Sequence, residues 1–263
     1  MLRSRYHANW SPSWLGTNRD PTFCEDSIML NKYNVMDAIR SSDGLCVSIK
    51  TTRNDSQEIS IASFVSSPDL LKDPSNHCVH LLEIFPDPLH ADSSLLVMPY
   101  LRPFNDSEFG AIGEAVDFVK QTCFLHRHQI AHRDCAAANI MMDGHPLFPY
   151  GHHPVRRGHS PDSVHDLVPL SRIDHPVRYY LIDFGISSRF PPGASSFVVG
   201  RQGRDKGLPE LSSDVPYNAF KVDIFTLGNL YGKDFAEVSP LIACNQLGLT
   251  HNRNITGLNS CSL

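Results

Sequence analysis

The chain has 263 residues, 41% of them hydrophobic, with a formal charge of −5 and a pI near 6.2. That size and apolar content suffice for one or two cores, and the mild acidity gives no reason to expect nucleic acid as the main partner. No stretch approaches the ~20 apolar residues of a membrane span, and the start Met1-Leu2-Arg3-Ser4-Arg5-Tyr6 leads into Trp, Pro and Asn without an apolar signal core, so an intracellular protein, cytoplasmic or nuclear and without a membrane partner, is expected.

In chain order, residues 1–23 form an arm with Trp10, Trp14 and two prolines, expected to tuck its indoles against the segment that follows. Residues 24–101 read mostly as short strands around one helix. Val47-Ser48-Ile49-Lys50 is a β-prone run ending in Lys. Asp55-Ser56-Gln57-Glu58, ahead of Ile59, Ile61, Ala62, Phe64 and Val65, predicts a helix with Asp55 as N-cap and Glu58 as its third residue. Between 106 and 131 the three-and-four spacing of Phe109, Ile112, Ala115, Val116, Phe118, Val119, Cys123, Phe124 and Leu125 predicts an amphipathic helix. From about Asp143 to Arg178 runs a Pro- and His-rich excursion expected to join two strands. Its histidines, at 145, 152, 153, 159, 165 and 175, lack tight ligand spacing and no Cys accompanies them, so a mobile or partner-docking loop is favoured over a zinc site. Residues 246–263 read as an irregular tail. The seven cysteines, at 24, 46, 78, 123, 135, 244 and 261, are odd in number and without metal-type pairing, which predicts reduced thiols.

Two strings carry chemistry. His132-Arg133-Asp134-Cys135-Ala136-Ala137-Ala138-Asn139 is followed, 49 residues after Asp134, by Asp183-Phe184-Gly185, each behind an apolar run. Moving a γ-phosphoryl group needs a carboxylate beside the attacking hydroxyl, divalent metal on the phosphates and a cation to hold the nucleotide. The first string resembles the H-R-D-x-x-x-x-N catalytic loop of the eukaryotic protein kinase superfamily, the second its D-F-G, and Val47-Ser48-Ile49-Lys50 its V-A-I-K with Ser48 in place of Ala. The resemblance spans about residues 24–232. Ser94 to Leu101 resembles the hinge strand with Met98 as gatekeeper, Pro209-Glu210 the end of an activation segment, and Asp223 to Gly228 the start of a buried helix whose Asp caps the catalytic-loop backbone. The whole chain is similar to a group of divergent fungal kinase-like proteins.

The resemblance implies an α+β, two-lobed fold: a small antiparallel-sheet lobe (24–101) and a mainly helical lobe (102–245, with the insertion at about 143–178), shortened because only 35 residues follow Gly228. MgATP would lie between the lobes and pass its γ-phosphoryl group to a protein hydroxyl. By the same resemblance, Asp134 is the proton acceptor, Lys50 holds the phosphates, and Asn139 and Asp183 bind Mg²⁺. Met98, Pro99, Leu101 and Met141 then contact the base, through the Pro99 carbonyl and the Leu101 N–H among others. Glu58 either pairs with Lys50, the favoured reading because Asp55 is its only rival, or completes an Asp-x-x-Glu cap. The alternative function is a pseudokinase that binds nucleotide or a partner and catalyses little. In its favour, no G-x-G-x-x-G precedes Lys50, and Ala136 and Ala138 stand where active kinases carry a cation. Arg133, Arg201, Arg204 and Lys206 are candidates to replace some of that positive potential, although a solvated basic loop is the favoured reading of the last three.

Overall fold

The computed structural model describes residues 2–27, 34–107 and 113–235. After an N-terminal arm come β1 (Val35–Ile39), β2 (Cys46–Arg53), α1 (Gln57–Val65), β3 (Glu83–Pro86) and β4 (Ser93–Pro99). Then come β5 (Arg102–Pro103), α2 (Gly113–Arg127), β6 (Ile130–Ala131), β7 (Ile140–Met142), β8 (Tyr179–Leu181), β9 (Ser188–Arg189), β10 (Phe197–Val198), β11 (Tyr217–Asn218) and α3 (Ala219–Leu230). The architecture is mixed α and β. One four-stranded antiparallel sheet is ordered β1-β2-β4-β3, and small sheets pair β5-β7-β8, β6-β9 and β10-β11.

β2 is central because its β-branched Val47, Ile49, Thr51 and Thr52 suit a pleated surface paired on both edges. It runs three residues beyond Lys50, so the cation stands in mid-strand and not at the strand end. The register aligns Val35, Lys50 and Leu96 on one rung and Asp37, Ser48 and Met98 on the next cleftward rung. Directly opposed residues share a face of the sheet, so both rungs present their side chains to the same side.

α1 buries Glu58, Ile61, Ala62 and Val65, the i, i+3, i+4, i+7 stripe of a packed helix. It starts later than the sequence predicts. Asp55 is not the N-cap, because the Arg53 guanidinium takes its carboxylate at 3.0 and 2.9 Å. Ser56 holds the cap position without a side-chain bond, and Glu58 is the second helical residue. In α2 the apolar stripe is less regular than its spacing suggests: Phe124 and Leu125 are buried, whereas Val116 and Val119 are 48% and 43% exposed. Phe109 and Ile112 lie outside the described residues, as do the side chains of Ala115 and Phe118. α3 begins four residues before Asp223, where Asn218 caps it by accepting from Phe220 N at 2.9 Å.

One indole of the arm reaches the segment that follows it, while the contact with the sheet is made by other side chains. Trp10 and Trp14 meet each other edge-on at 5.6 Å, and Trp10 Nε1 donates to Asp26 at 3.0 Å. The sheet contact is ionic, since Asp37 on β1 is a buried carboxylate and needs charge beside it. Arg5 Nη2 donates to both its oxygens at 2.7 Å, and Leu2 bridges Ala38.

Residues 143–178 do join two strands, β7 and β8, yet they fold back onto the chain. His153 is fully buried; its Nε2 donates to the Glu25 carbonyl at 2.8 Å, and its Nδ1 accepts from Val155 N and Arg156 N at 3.1 and 2.9 Å. Arg172 donates to the Phe104 and Ser107 carbonyls and to Tyr179 Oη at 2.7–2.9 Å. The described cysteines 24, 46, 78, 123 and 135 form no disulfide; Cys244, Cys261 and the tail from 246 lie outside the described residues. No described helix is long and apolar enough to cross a membrane. A continuous core runs from Ile61 and Leu96 through Phe124, Ile140, Leu181 and Phe184 to Leu227, and the cleft opens along it.

Candidate functional site

The alternation of β2 and the second position of α1 bring three charges together. Lys50 Nζ lies 2.5 Å from Glu58 Oε1 and 2.8 Å from Asp183 Oδ1, while Thr52 Oγ1 donates to the other Glu58 oxygen at 3.3 Å. Glu58 is therefore an ion-pair partner and not half of a capping box. Burial works against the Lys50 ammonium, but the two carboxylates outweigh it and hold its pKa above the usual lysine value. For Asp183 burial is again the largest influence and acts upward; Lys50 and the Gly185 N–H overcome it, so the carboxyl lies below its ordinary range.

Below this cluster the segment 130–139 is fixed from behind. Asp223, fully buried on α3, accepts from His132 N at 2.8 Å, Arg133 N at 2.5 Å and His126 Nε2 at 2.9 Å. Both backbone N–H groups reach one carboxylate because Arg133 adopts a φ of 68°, a left-handed conformation that a long side chain holds only under constraint. His132 Nδ1 accepts from Asp134 N at 3.3 Å and its Nε2 meets the Ile182 carbonyl at 3.0 Å, which sets the ring as an Nε2–H donor. One imidazole thus ties Asp134 to the residue preceding Asp183.

The Asp134 carboxylate receives Asn139 Nδ2 at 2.7 Å on one oxygen and Arg204 N at 2.7 Å on the other. Asn139 Nδ2 also reaches the Asp134 carbonyl at 2.9 Å, so the amide oxygen is the end of Asn139 left to meet a cation. The approach of residue 204 depends on Gly203. At its φ of +93°, a Cβ there would lie 2.9 Å from the Arg133 carbonyl. Arg133 secures the same neighbourhood by donating to Ile186 O and Ser188 Oγ at 3.2 Å, Gln202 Oε1 at 3.2 Å and Val199 O at 3.4 Å.

A cleft of about 860 Å³ passes these groups, within the size range of small-molecule sites. Lys50, Glu58, Met98, Pro99, Leu101, Asn139, Met141 and Asp183 all line it. Asp134 does not line it; its partners Asn139 and Arg204 do. Sequence reasoning missed other parts of the wall, among them Arg5 and Tyr6 of the arm, Asp37, and Pro154, Val155 and Arg157 of the insertion. The Tyr100 hydroxyl donates to the Pro154 carbonyl at 2.8 Å, which seats the insertion against the end of β4. Chain-distant pairs of this kind leave no periodic or motif signal.

As a cation site, Asn139 and Asp183 offer hard oxygen donors. Among the described residues no three His, Cys, Asp or Glu side chains converge. The set suits a cation such as Mg²⁺ that takes one or two protein groups and completes its shell with phosphate and water. No protein-family model matches the chain, and no curated protein matches it.

Proposed function

We propose that the chain is a protein-kinase-like phosphotransferase, a two-lobed fold whose four-stranded sheet and helical part enclose MgATP and pass its γ-phosphoryl group to a protein hydroxyl. One observation carries the reading: Lys50, paired with both Glu58 and Asp183, lines the same cleft as Asn139, with Asp134 directly behind Asn139. In this reading Lys50 grips the phosphates, and Glu58 keeps its ammonium charged and in place. Asp183 and Asn139 would hold Mg²⁺, which neutralises phosphate charge when bound. Asp134 orients the acceptor hydroxyl and takes its proton, while Met98, Pro99, Leu101 and Met141 flank the base. That the acceptor belongs to a protein rests on the resemblance of Pro209-Glu210 and the Asp223 helix to protein kinases.

A specific observation favours a second reading, a pseudokinase that binds nucleotide without turning it over. Both Asp134 oxygens already accept hydrogen bonds, one of them from the Arg204 backbone, and the β1–β2 connection is a short turn holding the single glycine Gly44. Radiolabelled transfer from ATP to a mixed protein substrate separates the two. Asp134→Asn keeps the shape of the side chain but removes the proton acceptor, so the transferase loses about two to four orders of magnitude in rate while binding ATP as before. Wild type that binds MgATP but labels nothing supports the second reading, and equal labelling by both proteins removes Asp134 from catalysis.

A further inference from the structure

We propose that Tyr6 of the N-terminal arm is a ligand-binding residue, a flat aromatic wall for the base-bearing end of the nucleotide; this rests on the nucleotide reading above. Tyr6 lines the cleft and is half-buried. Its hydroxyl donates to Asp37 Oδ1 at 2.5 Å, and that carboxylate is itself fixed by Arg5 Nη2 at 2.7 Å. The ring is therefore held at its far end by a buried ion pair, which limits its freedom before any ligand arrives.

The register gives its place along the cleft. Asp37 stands opposite Ser48 and, across β2, Met98, one rung from Lys50. One rung is two strand residues, about 7 Å. Tyr6 thus belongs to the end of the cleft away from the phosphate-gripping cation, where Met98 and Pro99 also lie.

A chain segment bound in a cleft is either a plug or a wall. With the arm docked, about 860 Å³ remains, ample for a small ligand, so the arm is a wall. An aromatic face at that position stacks on a planar heterocycle, an interaction whose loss weakens binding about 5- to 150-fold.

The test is calorimetric titration of the full chain with MgATP, adenosine and inorganic tripolyphosphate. In Tyr6→Ala, MgATP and adenosine should weaken about 5- to 150-fold and tripolyphosphate should hold its wild-type affinity. Tyr6→Phe, which keeps the ring but loses its tether to Asp37, should lose less MgATP and adenosine affinity than Tyr6→Ala. Tyr6→Leu, which keeps bulk without a flat face and leaves the Arg5–Asp37 pair intact, should match Tyr6→Ala. Wild type that binds MgATP with no change in Tyr6→Ala and Tyr6→Leu overturns this assignment alone. So does an equal loss for tripolyphosphate, which would put Tyr6 at the phosphates, and so does tighter binding, which would make the arm a plug. Wild type that binds none of the three overturns both this assignment and the nucleotide reading.

Discussion

At the scale of single residues the site is held by buried acceptors, and Asp223 shows this most plainly. It is fully buried and accepts from two backbone N–H groups of the segment that carries Asp134. A buried donor left without an acceptor costs about 1–3 kcal/mol, so Asp223→Ala should lower unfolding free energy by about 3 kcal/mol or more. Asp223→Asn, which keeps one acceptor oxygen, should cost less. Urea denaturation measures both, and a loss no larger than that of a surface substitution would remove Asp223 from this supporting role. Residue identities were the most legible feature of the sequence. Lys50, Glu58, Asn139 and Asp183 stand out by motif and spacing, and they line one cleft. The Arg204 backbone N–H on Asp134 was hidden, because any residue supplies an N–H and only the φ of Gly203 makes the approach possible.

At the scale of elements, the arm and the insertion depart furthest from what their composition suggests. Sequence reasoning expects the arm to dock by its indoles and the insertion to be a mobile or partner-docking loop, yet buried Arg5, His153 and Arg172 anchor them. Pairing across more than thirty positions, such as Arg5 with Asp37, leaves no local pattern. The boundary of α1 was misplaced for a local reason: two cap-type residues stand side by side, and Arg53 claims the first. The insertion also carries a pH signature. His152 lies near the rings of Phe148 and Tyr100 at 5.9 and 5.7 Å, and burial, reinforced by Arg102, pushes its pKa down to about 4. Unfolded, it titrates near the ordinary value of about 6.5. Between these values the unfolded chain binds the extra proton, so this contribution to stability is intact above about pH 6.5 and is lost as pH falls towards 4. Melting of wild type and His152→Phe across that window should show a steeper acid decline in wild type. Parallel curves would mean that His152 does not titrate as its surroundings imply.

At the scale of the whole molecule, the sheet's cation meets carboxylates from α1 and from the turn after β8 over one continuous core. The strands around one helix were legible, because β-prone runs and the three-and-four stripe are local properties of the chain, whereas the mixed α and β architecture was an implication of the motif resemblance. The parts of the cleft wall supplied by the arm and the insertion were not legible, since they arise where distant segments close on one another. The central claim is that this cleft binds MgATP between Lys50 and Asp183, and ligand-induced stabilisation tests it most directly. The measurement is the unfolding free energy of wild type with and without MgATP, beside Lys50→Ala. The account predicts a Mg²⁺-dependent gain of about 2.7 kcal/mol at a hundredfold excess over the dissociation constant, absent in Lys50→Ala. A wild-type unfolding curve that MgATP leaves unmoved, or an equal gain in Lys50→Ala, would contradict it.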